Sequence, residues 1–170
     1  MSSKWNLDVA HSEITFKVKH MMIAHVTGNI TKFNAEISDG DDTLSHAKIK
    51  FTAALDSIST GDEQRDGHLK SADFFDVAQF PELRFESTSF SENRLTGMLT
   101  IRDITKEITL HVEDGGLGKD PWGNTRKGFT VSGNISRKEW GLTWNAALET
   151  GGVLVSDDVR ILCEIQFVKG

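Results

Sequence analysis

Over most of its length the chain alternates apolar and polar positions, the period-2 signature of strands with one face turned to a core. Ile14, Phe16 and Val18 share one face while Thr15, Lys17 and Lys19 share the other, and His20 falls in phase with the apolar set. Val26 to Ser38 carries Ile30, Phe33, Ala35 and Ile37, and the change of phase between Ile30 and Phe33 predicts a bulge or bend. Ala47, Ile49, Phe51, Ala53 and Leu55 continue the alternation. Later strands are expected from Leu83 to Phe90, over Leu95 to Ile101, from Ile104 to Val112 with Ile108 and Leu110 in phase, over Phe129 to Ile135, and over Val159 to Phe167. Arg102-Asp103 is short enough for a tight hairpin, whereas the glycine-rich Asp114 to Asn124 reads as a loop.

Thr60 to Pro81 does not alternate. Thr60 and Glu63 fit a capping box, and Leu69, Ala72 and Phe75 recur at the spacing of one helical face. Gly67 weakens a helix interior by about 1 kcal/mol, so one or two short helical turns are expected. This stretch sets Arg65, Asp66 and His68 beside Phe74 and Phe75, a mixture suited to a lid over an apolar space. The expected fold is therefore all-β: about eight antiparallel up-and-down strands with short links, able to close into a barrel, and a short helical lid segment. Such a barrel can be filled by its own side chains or left wide enough for one small ligand, and the pattern leaves both open.

A chain of 170 residues fits a single domain, 1–170. Its formal charge of −6 and the lack of a Lys/Arg block make nucleic acid and anionic membrane surfaces poor partners. No stretch approaches the roughly 18 consecutive apolar residues of a spanning helix, and the first residues do not read as a secretory signal. A cytoplasmic location is expected. One cysteine, Cys163, excludes an internal disulfide, and its apolar surroundings suggest a buried small hydrophobe.

Candidate chemistry is sparse. The histidines, His11, His20, His25, His46, His68 and His111, form no zinc-protease pair, and neither a nucleophile elbow nor a phosphate-binding glycine motif is present. No metal, cofactor or catalytic residue is expected; an enzyme would have to rely on His20 or His68 as acid or base. His20 reads either as a hydrogen-bonded wall histidine or as part of a pocket. Ten Phe and four Trp suit an all-β core. They equally suit an aromatic-lined tunnel for a lipid, because burying ten methylenes at about 0.8 kcal/mol each reaches roughly micromolar affinity before ordering costs. A third reading is a fully packed barrel that acts through its surface.

Several blocks resemble the YceI-like polyisoprenoid-binding proteins over nearly the whole chain. They are Asp8 to His20, Ser57 to Phe75 (SISTGDEQRDGHLKSADFF), Phe80-Pro81 with Phe85 to Thr88, Leu95 to Ile101 and Ile135 to Leu142. Trp140 stands where that family more often carries Phe or Tyr, which keeps an aromatic plug at one end of the pocket. The resemblance implies an extended lipocalin-like barrel holding a long isoprenoid chain, such as a quinone or polyprenyl amphiphile, as a carrier, buffer or store. It also implies a homodimer, and a stress link in some members. On alternation, the lining of such a cavity is Phe16, Val18, His20, Phe33, Phe51, Phe85, Leu99, Leu110, Val131, Ile161 and Ile165. Arg65, Asp66, His68, Phe74, Phe75, Arg137 and Trp140 would stand at the lid or mouth, orienting a head group or anchoring loops.

Overall fold

The computed structural model describes residues 5–20, 23–38, 47–91, 93–143, 145 and 155–169, with backbone only for His20 and Ser91. Alternating residues form the strands β1 (Trp5–Leu7), β2 (Glu13–His20), β3 (Ala24–Ile30), β4 (Phe33–Ser38), β5 (Lys48–Ala54) and β6 (Ile58–Ser59). After the helix α1 (Glu63–Lys70) come β7 (Glu82–Ser91), β8 (Arg94–Ile101), β9 (Ile104–Lys119), β10 (Thr125–Ser136) and β11 (Val155–Lys169). All pairings are antiparallel, in the order β4-β5-β7-β8-β9-β10-β11-β2-β3-β6, with β1 beside β11. No helix among the described residues is long and apolar enough to cross a membrane.

The strand number is a correction: among the described residues eleven strands stand where about eight were expected. The run from Val26 to Ser38 breaks at Thr31-Lys32 into β3 and β4, and the run ending at Leu55 passes through the 3-10 turn Leu55–Ser57 into β6. Trp5–Leu7 adds a short strand. Both breaks fall on one seam. Ile30 pairs with Ile58 on one side of it and Phe33 with Ala53 on the other. Between them the Ala54 N–H donates to the Lys32 carbonyl at 2.8 Å, and the Lys32 N–H donates to Ser57 Oγ at 3.0 Å. The sheet thus curls around its core and its two ends are carried by continuous chain.

Two further expectations change. Asp114 to Lys119 belongs to β9, so only Asp120 to Asn124 forms the turn; the register shift between Lys127 and Phe129 lets the glycine-rich side remain paired. The helix is capped by Asp62, whose carboxylate accepts from the N–H groups of Gln64 and Arg65 at 3.0 and 3.1 Å, and the Thr60–Glu63 capping box does not form. An Asp at N-cap satisfies the same orphan donors. The helix ends at Lys70, so Ala72 is exposed and shares no helical face with Leu69.

At one rim of the sheet Arg126 binds Asp8 at 2.5 Å, Gln166 at 2.8 Å and Asp120 at 2.9 Å. Asp120 in turn accepts from the N–H groups of Trp122 and Asn124, both at 2.9 Å, so one guanidinium links the N-terminal segment to the β9–β10 turn. The Arg126 hydrogen bond leads in holding the Asp8 carboxyl below its ordinary range. At Asp120 desolvation pushes upward, but Arg126 and the two N–H donors outweigh it and bring the carboxyl to about 2. A carboxyl depressed on folding contributes stability above its unfolded value and loses it as pH falls through the folded one. Melting temperature is therefore expected to decline as acid is added from about pH 4 to about pH 2, and to decline less steeply in Arg126→Ala. Thermal melts across that window check this; parallel acid slopes would remove the network from the account.

Candidate functional site

The centre of the curled sheet is hollow. A cavity of about 570 Å³ is lined by residues of β2 to β11 and of the segment between β6 and β7, a size within the roughly 300–1,000 Å³ of small-molecule pockets. Its walls are aliphatic and aromatic. Inward residues Phe16, Val18, Phe51, Val131, Ile161 and Ile165 are only half-buried, because they face this space and not another side chain. Along β11 the lining runs from Val155 to Phe167, across a register irregularity between Val155 and Val159; twelve steps at about 3.3 Å bound its span along the strand at roughly 40 Å. The space is therefore an elongated slot that follows the strands.

The hollow follows from where glycine stands on the inner face. Gly28 is the cross-strand partner of Phe16, and a Cβ there would meet the Phe16 ring at 2.3 Å. A Cβ at Gly97 would meet the Phe85 ring at 2.6 Å, and one at Gly133 would meet Leu110 Cδ2 at 2.6 Å. Each large side chain lies flat along the wall in the footprint of a missing side chain, and the middle stays open. Ring-over-glycine pairing also recovers contact that a strand glycine forfeits. The sequence reading placed these glycines in strands without drawing this consequence. The usable signal was glycine recurring at inward phase opposite an aromatic or Leu.

Most expected lining residues face the slot: Phe16, Val18, Phe51, Phe85, Leu99, Leu110, Val131, Ile161 and Ile165 all do. Phe33 does not. The break at Thr31-Lys32 sets it apart from the slot, half-buried with its ring 6.1 Å from that of Phe51. The His20 side chain lies outside the described residues. Sequence reasoning left out Phe90, Phe129, Ile135 and Phe167, which also line the space. Three of these follow from alternation alone. Phe90 could not be found that way, because a register shift between Ser87 and Ser89 turns it inward.

The segment from α1 to Pro81 covers the side of the slot between β6 and β7. Leu69 and Phe75 pack on a buried cluster that includes Leu55, Ile58 and Cys163. Phe74 is buried, edge-on to the His68 ring at 5.1 Å and 6.0 Å from the Arg137 guanidinium. Arg65, His68, Phe74, Phe75 and Arg137 contribute to the lining. Asp66 does not: its carboxylate accepts from the N–H and hydroxyl of Thr60 at 2.8 and 2.6 Å. Arg65 donates to the Thr60 hydroxyl and carbonyl at 2.7 and 2.8 Å, so both charged residues tie the lid to its entry strand. His68 Nε2 lies 2.9 Å from Asp73 Oδ2.

Arg137 is 3% exposed and donates to the carbonyls of Ser156, Leu142 and Val155, with Asp157 at 4.0 Å. Burial lowers its pKa and the Asp157 charge opposes that. Trp140 is corrected from mouth to wall. It is fully buried, its indole N–H donates to the Leu99 carbonyl at 2.9 Å, and it does not line the slot. The 3-10 turn Arg137–Trp140 sets it in one buried cluster with Leu99, Ile101 and Leu142.

Reactive groups are muted here. Burial pushes the Cys163 thiol up to about 12, which keeps it protonated and a poor nucleophile at neutral pH. Polar side chains on the lining, including Lys19, Gln64, Arg65, His68 and Arg137, come from the lid segment and strand ends. What the arrangement can do is take an apolar chain out of water and leave its polar end beside them.

Fold and site together define an all-β protein whose curled antiparallel sheet encloses a lidded, elongated apolar space. The chain belongs to the YceI-like family, whose domain model matches residues 5–167. The UPF0312 protein SA2479 of Staphylococcus aureus (strain N315) is 39% identical over 166 residues, 97% of each chain. The Campylobacter jejuni YCEI protein has a similar structure, with a TM-score of 0.77 at 29% identity over 91% of each chain. A polyisoprenoid binding domain from Saccharophagus degradans, implicated in plant cell wall breakdown, gives a TM-score of 0.77 over 99% of this chain and 100% of that one. At 14% identity that is a likeness of fold.

Proposed function

We propose that this protein binds one long-chain isoprenoid, a quinone or polyprenyl-type amphiphile, in its slot and acts as a non-enzymatic carrier, buffer or store. The observation that carries the reading is the slot itself: about 570 Å³ of elongated space, apolar along its walls. A polyisoprenoid-binding neighbour of the same fold supports the lipid class. Burial of about ten methylenes at ~0.8 kcal/mol each supplies roughly 8 kcal/mol, about micromolar affinity before the ordering of a flexible tail is subtracted, and each further buried methylene adds to it. The polar lid residues accommodate the head group, with Arg65 and Asp66 serving as anchors.

Native mass spectrometry of freshly purified protein, followed by organic extraction, tests this. A discrete added mass, released as a prenyl lipid, is expected. A bare chain from several expression hosts that also fails to take up added ubiquinone or geranylgeraniol would shift the reading to a protein acting through its surface.

A further inference from the structure

The slot needs a floor. On β11 its wall ends at Phe167, and β1 pairs there, with Leu7 opposite Phe167 and Trp5 opposite Lys169. Leu7 and Trp5 are two residues apart, so they project from the same face. Trp5 therefore lies one dyad beyond the last wall residue, about 7 Å further along the slot. It is 5% exposed and packs in one cluster with Leu95, Phe129 and Phe167, while β1 reaches across to touch β4. The Lys169 ammonium lies 6.0 Å from its ring centroid.

Its indole N–H is buried and has no hydrogen-bond partner among the described residues. A buried donor without an acceptor is a standing cost that Phe or Leu would avoid. Among the described residues nothing polar holds the indole, whereas its bulk has a place: Trp5, itself outside the lining, shares a buried cluster with Phe129 and Phe167, which do line the slot, and an indole backs them more completely than either alternative. We propose that Trp5 closes the slot opposite the lid-bearing part of the fold and limits the length of chain the protein accepts, an inference resting on the isoprenoid-binding reading.

The test is a titration of delipidated protein with isoprenols of increasing length, from farnesol through geranylgeraniol to longer polyprenols, in wild type, Trp5→Ala and Trp5→Leu. In wild type, affinity should rise with length and then stop rising. In Trp5→Ala that limit should move up by at least an isoprene unit, with a gain of about tenfold or more for the first chain the wild type refuses, and with farnesol affinity unchanged. Trp5→Leu keeps an apolar residue on β1 and should shift the limit in the same direction, so it carries the readout if the alanine variant does not fold. An identical limit in all three proteins, with farnesol still bound, would place the floor elsewhere. If the wild type binds no isoprenol of any length, the functional reading fails and this inference falls with it.

Discussion

Trp140→Ala should be the most destabilising single change, lowering stability by about 3–5 kcal/mol, the usual range for removing a buried large aromatic. The reason is local. Trp140 has no exposed surface and its indole N–H donates to the Leu99 carbonyl at 2.9 Å. Truncation leaves a ring-sized void in the cluster with Leu99, Ile101 and Leu142 and removes one hydrogen bond. Against a total stability of about 5–15 kcal/mol, that is a large fraction. At about 2–4 °C per kcal/mol for a chain of this size, melting should fall by roughly 10 °C or more. Trp140→Phe keeps most of the packing and should lose about 1–2 kcal/mol. Because Trp140 does not line the slot, both variants should bind a prenyl ligand nearly as well as wild type at temperatures where they are folded. Thermal melts paired with a ligand titration separate the two roles: unchanged melting with lost binding would return Trp140 to the mouth.

What the sequence made legible was direction. Alternation assigned an inward face to β2, β5, β8 and β11, and Phe16, Phe51, Leu99 and Ile161 do face the interior. It could not show where a strand stops or shifts phase. The Thr31-Lys32 break and the Ser87/Ser89 shift depend on which strands lie alongside, so Phe33 was placed in the slot and Phe90 was left out. Alternation is equally silent about depth. Trp140 and Arg137 lie three residues apart on one turn, yet one is wall and the other reaches the slot. Local composition marked the lid correctly as a separate element, but capping shifted from Thr60 to Asp62 because Thr60 is engaged by Arg65 and Asp66. Hollow or filled is a volume question, and a two-letter pattern of apolar and polar holds no volumes.

Gly28→Val tests the volume argument directly. Gly28 has no left-handed backbone requirement, so a side chain is not refused on conformational grounds; space refuses it. A Cβ would stand 2.3 Å from Phe16 Cζ and under 3 Å from both neighbouring ring carbons. The ring has one direction in which to yield, off the wall and into the slot, where it takes the place of ligand. Losing contact with about three methylenes at ~0.8 kcal/mol each should weaken binding by roughly 2–3 kcal/mol, or about 30- to 150-fold. Stability should change much less, since overpacking of about 1–3 kcal/mol is relieved by movement into empty space. Adding Phe16→Ala removes the displaced ring, and the double variant should recover to within a few-fold of wild type. This compensation distinguishes a filled slot from a damaged fold. Wild-type affinity in Gly28→Val, measured by displacement of a fluorescent prenyl probe, would mean that the ligand lies somewhere other than the space these glycines keep open.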